Sequence, residues 1–248
     1  MTAAPQVVVL ANSDLLAAAT AARLITSVID AQAAKGTASV VLTGGRTGTA
    51  VLAQVLASPA KDAVNWSQVD FYWGDERFLP AGDPERNETQ AREALLDHLP
   101  IDSARVYAME PSDGKFGDDP DAAAVAYAEL LASKAEDGQV PTFDVCLLGV
   151  GEEGHTASIF PESPAVYETE RTVVAVRDCP KPPPTRVSLT LPAIRQASEV
   201  WLLTGGEAKA DPIAMALGGA TEVEIPAAGA RGRQRTLWLL DKAAAAKL

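Results

Sequence analysis

One segment, FDVCLLGVGEEGHTASIFP at residues 143–161, holds the residues best suited to chemistry. The apolar run at 145–148 reads as a fully buried strand. Glycines at 149, 151 and 154 then turn the chain sharply. His155 follows the turn at once, and it is one of only two histidines in 248 residues. Thr156, Ala157 and Ser158 read as the start of a short helix stopped by Pro161. In open α/β sheets, ligands bind just outside the carboxyl ends of strands. The pattern therefore places a scarce proton-transfer group where such folds keep their chemistry. The other histidine, His98 in LLDHLP, sits near the end of a helical stretch, where a cation is ordinary.

Three further loops lie at strand ends. LTGGRTGTA (42–50) follows a strand and opens a helix. Backbone N–H groups freed at Gly44 and Gly45, with the helix dipole, make an anion site. Arg46 and the hydroxyls of Thr43, Thr47 and Thr49 add further donors. No lysine follows, so this is not a P-loop. In WGDERFLPAGDPERN (73–87), Asp75, Glu76 and Arg77 stand in succession between Trp73 and Phe78, so at least one charge is expected to point inward. Asn87 is expected to cap the next helix. RDCPKPPPTRVSLT (177–190) is stiffened by Pro180, Pro182, Pro183 and Pro184. It holds Lys181 and Arg186 at a fixed spacing, pre-organised for an anionic ligand.

The elements that must position these loops alternate along the chain. Strands are expected at 6–11, 39–42, 69–73, 143–148, 172–176, 187–190, 200–204 and 236–240, with a short one at 105–109. Helices are expected from the Asn12 or Ser13 cap to about residue 34, closed by Gly36, and at 49–57, 88–96, 121–136 and 208–217, with an Ala-rich terminal helix. This alternation predicts an α/β fold: a mostly parallel sheet with helices on both faces. No repeat or low-complexity linker divides it, and residues 1–248 are read as a single domain.

Composition narrows the function. Hydrophobic residues make up 47% and charged residues 22%, near globular averages. The net charge of −12 argues against nucleic acid and anionic membrane as partners. An anionic metabolite remains compatible if cations are concentrated locally. Cys146 and Cys179 lack disulfide or metal spacing, and Cys146 lies inside the buried strand. The N-terminal stretch MTAAPQVVVLANSD is not a signal peptide, and no apolar run reaches membrane-spanning length. A cytoplasmic protein is expected, monomeric or a small homo-oligomer.

Together the loops resemble the 6-phosphogluconolactonase family. The matching pieces are LTGGRT, WGDERFLP with Asn87, LLGVGEEGHTASIFP, and CPKPPPTRVSLTLPAI with GGEAKA at 205–210. The resemblance spans about residues 40–210. One departure is Glu153-Gly154-His155, where the family usually has Asp-Gly-His. The resemblance implies a Rossmann-like, glucosamine-6-phosphate deaminase-like fold. It also implies hydrolysis of 6-phospho-D-glucono-1,5-lactone to 6-phosphogluconate, the second step of the oxidative pentose phosphate pathway. Under that reading His155 is the base. Asp75 orients the histidine or the sugar hydroxyls, and Arg77 stabilises the oxyanion or holds the phosphate. Gly44, Gly45, Arg46, Thr47, Lys181 and Arg186 are the phosphate candidates. Neither a metal nor an organic cofactor is called for. Two alternatives stay open: an amino-sugar-phosphate isomerase or deaminase, and a sugar-phosphate sensor without catalysis. The second lacks a recognisable effector segment.

Overall fold

The computed structural model describes residues 4–136 and 138–248; residues 1–3, part of the N-terminal stretch read above, and residue 137 lie outside the described set. In chain order the strands are β1 (Gln6–Leu10), β2 (Ala38–Leu42), β3 (Val69–Trp73), β4 (Asp75–Arg77), β5 (Val145–Gly149), β6 (Val173–Val176), β7 (Arg186–Leu189), β8 (Glu199–Thr204) and β9 (Arg235–Asp241). The α-helices are α1 (Ser13–Lys35), α2 (Gly45–Ala57), α3 (Asn87–Ala94), α4 (Pro120–Lys134), α5 (Leu191–Ile194), α6 (Ala210–Leu217) and α7 (Pro226–Gly229).

Six strands form one parallel sheet in the order β1-β9-β8-β5-β2-β3. Its central strands read as near-continuous apolar runs because both faces are covered. All five residues of β2 are buried, as are the first four of β5. Helices α1 and α2 pack on each other and on β2, β5 and β9. Asp144 ties β2 to β5 at their amino ends, accepting from the Ser39 amide at 2.7 Å and from Lys35 Nζ at 2.8 Å. From β2 the chain runs outward to β3, then returns to the other side of β2 as β5. The carboxyl ends of β2 and β5 therefore flank the point where strand order reverses, which opens a crevice.

A second, three-stranded antiparallel sheet, β4-β7-β6, stands beside the first. The runs at 172–176 and 187–190 thus do not join the parallel sheet. The short proline loop between them permits only antiparallel neighbours, since parallel strands need a long crossover. Residues 75–77, read as loop, are strand β4, paired with β7 from Asp75–Ser188 to Arg77–Arg186. Helix α4 packs on this sheet, and its Tyr127 hydroxyl links Trp73 N and Tyr107 O, each at 3.1 Å.

Other expectations fail for local reasons. Residues 105–109 form no strand; only Val106 bridges to Phe71, after a 3-10 turn at Ser103–Arg105 capped by Asp102. The Ala-rich segment after β9 makes turns instead of a helix. Helix α2 begins at Gly45, four residues before the expected start.

Candidate active site

The crevice at the ends of β2 and β5 is a cleft of about 180 Å³. Thr43, Gly44 and Gly45 reach it from the β2 end, and Gly149, Val150, Gly151 and His155 from the β5 end. Asp75, Arg77 and Arg186 enter from the small sheet, Lys181 from the proline loop, Asn87 from α3, and Lys209 from the turn before α6. An adjoining hollow of about 210 Å³ shares Thr43–Gly45 and Lys209 and adds Arg46, Thr47 and Thr204.

His155 is held by its own loop. Its Nδ1 lies 2.9 Å from Glu153 Oε2, and its ring packs on Phe160 at a centroid distance of 4.4 Å. Gly151 makes room for it: a Cβ there would stand 1.9 Å from His155 Nδ1. Burial holds the imidazole below its usual 6.5, against the opposing pull of Glu153. Glu153 is lowered to about 2; burial pushes it up, but its own amide, Lys181 and His155 outweigh that. The longer side chain at 153 therefore still reaches the histidine. An ionised Glu153 accepts a hydrogen bond from Nδ1–H and leaves Nε2 as the basic nitrogen.

The expected helix after His155 is absent because its polar groups are committed elsewhere. Thr156 Oγ1 donates to Gly149 O at 3.0 Å, and Ser158 Oγ donates to Asp75 Oδ2 at 2.7 Å. The Ser158 amide donates to Ser188 Oγ at 3.1 Å. Ala157 between them takes a left-handed backbone, φ 48°. The two Ser158 bonds join the histidine loop to the small sheet.

Strand alternation settles the DER run. Asp75 and Arg77 face the cleft, while Glu76 points the other way into the protein. Asp75 does not touch the histidine. Besides Ser158 it accepts from Asn87 Nδ2 at 3.3 Å and lies 3.8 Å from Arg186 Nη1. Arg77 donates through Nη1 to Glu85 O, and its Nε is buried with no protein partner. Asn87 is not the α3 cap. Glu76 caps that helix from β4, accepting from the amides of Asn87 at 2.6 Å and Glu88 at 2.8 Å. This frees the Asn87 side chain to donate to Asp75 O at 2.8 Å and to press on Gly44, where a Cβ would stand 1.8 Å from its Oδ1.

The phosphate candidates divide. Gly44 and Gly45 open α2, which carries no side-chain cap bond and no acid in its first turn, so its N–H groups suit an anion. Arg46 and Thr47 line the adjoining hollow, and Arg46 is exposed. Lys181 lines the cleft proper, 3.1 Å from Glu153 Oε2. Arg186 is buried and already committed: it donates to Pro183 O at 3.1 Å, Pro182 O at 3.2 Å and Lys181 O at 3.3 Å. It shapes the proline loop as much as it faces the cleft. Lys209, which sequence reasoning quoted only inside GGEAKA, lines both hollows and has Glu152 Oε1 at 3.8 Å. Its position after β8 is the signal that strand ends gather the site's residues.

Comparison with known proteins agrees with this layout. The profile of glucosamine-6-phosphate isomerases/6-phosphogluconolactonase matches residues 11–238. The chain belongs to that family. A 6-phosphogluconolactonase of Streptomyces coelicolor is 61% identical over 251 aligned residues, covering 100% of this chain and 96% of that protein. One of Mycobacterium tuberculosis is 56% identical, covering 96% of each. Among solved structures, the 6-phosphogluconolactonase from Trypanosoma brucei superposes with TM-score 0.86 at 30% identity, covering 100% of both chains. A monomeric glucosamine-6-phosphate deaminase superposes with TM-score 0.81 at 19% identity, covering 98% of this chain and all of the other, and shows that the isomerase/6-phosphogluconolactonase family fold is shared across both chemistries.

Proposed function

We propose that this protein is an enzyme hydrolysing 6-phospho-D-glucono-1,5-lactone to 6-phosphogluconate. The observation that carries the reading is one imidazole, fixed by a carboxylate, in a cleft where four cations and a helix N-terminus outweigh the single carboxylate of Asp75. The full-length likeness to 6-phosphogluconolactonases supports it. His155 Nε2 takes a proton from water as that water attacks the lactone carbonyl. Arg77 faces the oxyanion that forms. The imidazolium then returns its proton to the ring oxygen as the C–O bond breaks, which regenerates the neutral base. Asp75, held by Ser158 and Asn87, is placed to accept sugar hydroxyls. The α2 N-terminus, Lys181, Lys209 and Arg46 supply the phosphate end. A net charge of −12 is thereby offset locally.

The experiment is direct. Purified protein should accelerate 6-phosphogluconate formation over spontaneous lactone hydrolysis and release no ammonia from glucosamine 6-phosphate. Ammonia release without lactone hydrolysis would assign the other chemistry of the family. Cations outnumber carboxylates around the cleft, the reverse of a divalent-metal site. Exhaustive chelation is therefore expected to leave the hydrolysis rate unchanged; loss of rate restored by one divalent ion would overturn that.

Phosphate contacts predict a substrate-dependent loss. A hydrogen bond to a charged group contributes about 1.5–3 kcal/mol, or roughly 10–150-fold in kcat/KM. Lys181→Ala, Lys209→Ala and Arg46→Ala are each expected to lower kcat/KM by that range on the phosphorylated lactone. Glucono-1,5-lactone without phosphate should be hydrolysed nearly as before. Arg186→Ala should instead harm both substrates alike, because Arg186 holds the loop carbonyls. Unchanged kinetics in Lys181→Ala, Lys209→Ala and Arg46→Ala together would remove the phosphate site from this cleft.

A further inference from the structure

One oxygen in the cleft serves two cationic partners. Glu153 Oε2 lies 2.9 Å from His155 Nδ1 and 3.1 Å from Lys181 Nζ. The two come from different elements, the β5 loop and the proline loop, so nothing in local backbone geometry requires them to meet. Lys181 is also 38% exposed, while the His155 side chain is only 16% exposed. An anion entering the cleft therefore meets the ammonium before the imidazole. Binding it would draw the ammonium from Glu153 and place negative charge where positive charge stood.

We propose that Lys181 is a positioning residue through which anion occupancy of the cleft controls the base strength of His155. The proposal rests on the lactonase reading only for the identity of that anion, the substrate's phosphate. In the free protein Lys181 takes part of the Glu153 charge and itself repels an imidazolium. With the anion bound, Glu153 is left to His155 alone, and the imidazole holds its proton more tightly. The base is then weak until substrate arrives. The other charges around the ring do not sit on this shared oxygen. Asp75 and Arg77 come from β4, Arg186 from β7, and Lys209, with Glu152 as its counter-ion, from the turn before α6. Asp75 is committed to Ser158 and Asn87, and Arg186 to loop carbonyls. The low value of the Glu153 carboxyl keeps it ionised through the range in which His155 titrates.

The chain's two histidines make the test clean, since NMR titration of ring resonances resolves both, and exposed His98, whose ring nitrogen meets Glu93 O, is an internal control. Inorganic phosphate is the probe. In the unsubstituted protein, saturating phosphate is expected to raise the His155 pKa by about one unit, the usual effect of a nearby charge change. His98 should stay put. Lys181→Met should raise the phosphate-free value by a similar amount and remove most of the phosphate-induced rise, and Lys181→Arg should restore both. No movement of His155 with phosphate in the unsubstituted protein overturns the proposal, whatever the variants do. So does an unchanged phosphate-free value in a Lys181→Met protein whose His98 resonances match those of the unsubstituted protein. None of these readings needs turnover, so failure of the coupling and failure of the lactonase assignment are separately visible. In kinetics, the acid limb of kcat should lie at higher pH than that of kcat/KM, and Lys181→Met should merge the two.

Discussion

His155→Ala is expected to lower kcat by about 10²–10⁴-fold, the usual worth of a positioned general base. The folded protein should be otherwise intact, because the ring lines a cleft and its hydrogen bond and ring contact are to Glu153 and Phe160, beside its own loop. Steady-state hydrolysis of the phosphorylated lactone, corrected for the spontaneous reaction, measures the loss. The pH dependence gives an independent check. Burial lowers the imidazole below 6.5, so in the free enzyme the neutral base is already present at neutral pH. Activity as kcat/KM should thus fall only as pH drops through a value below 6.5, and not between 7 and 8. A variant with native kcat would remove His155 from the chemistry.

The second large effect concerns stability. Glu76→Ala is expected to lower the unfolding free energy by about 3–5 kcal/mol, the cost of deleting one partner of a buried ion pair. Glu76 is 1% exposed and lies 3.7 Å from Arg86, which is wholly buried. It also accepts from the amides of Arg77, Asn87 and Glu88, so its loss strands three donors, while Arg86 keeps Glu88 Oε2 at 3.2 Å and the carbonyls of Met109 and Leu79. Urea denaturation at pH 8, above the raised Glu76 value, measures the change with the carboxylate ionised, and an effect below 1 kcal/mol would show that the pair carries little. Burial raises the Glu76 carboxyl from 4.5 to about 7, against Arg86 and those amides. The folded chain therefore binds this proton more tightly than the unfolded one, and the contribution of Glu76 to stability declines as pH rises from about 4.5 to about 7.

The sheet was legible wherever strands are short, apolar and bounded by glycine. The runs at 39–42, 69–73, 145–148, 200–204 and 236–240 all became parallel strands, because burial on both faces leaves little freedom in residue choice. The strand ends in turn located His155, Asp75, Arg77 and Lys181, which the fold gathers in one cleft. What local pattern does not encode is the partner of each polar group. Ser158 breaks its expected helix because its hydroxyl donates a hydrogen bond to Asp75, 83 residues earlier. Asn87 looks like a cap, but a carboxylate on another strand caps α3 in its place. Arg186 looks like a free cation until its loop folds back on it. Lys209 carried no local signature beyond its place after a strand. The Ser158 contact spans 83 residues, whereas the partner of the Asn87 amide and the loop carbonyls on Arg186 lie within eleven residues and depend on how the chain folds back between them.

The cleft has walls from two different sheets. The parallel sheet supplies the α2 N-terminus, the histidine loop and Lys209, whereas the antiparallel sheet supplies Asp75, Arg77 and Arg186. The walls meet through the backbone of Gly74, between β3 and β4, which donates to Leu42 O at 3.0 Å and accepts from the Leu189 amide at 2.9 Å, and they are joined again across the Ser158–Asp75 and Ser158–Ser188 contacts. Such a seam lets one wall drift in sequence while the other keeps its grip on a ligand. A family that hosts both ring opening by water and rearrangement of amino sugars could diverge in this way, holding one end of the substrate constant while the facing surface is rewritten.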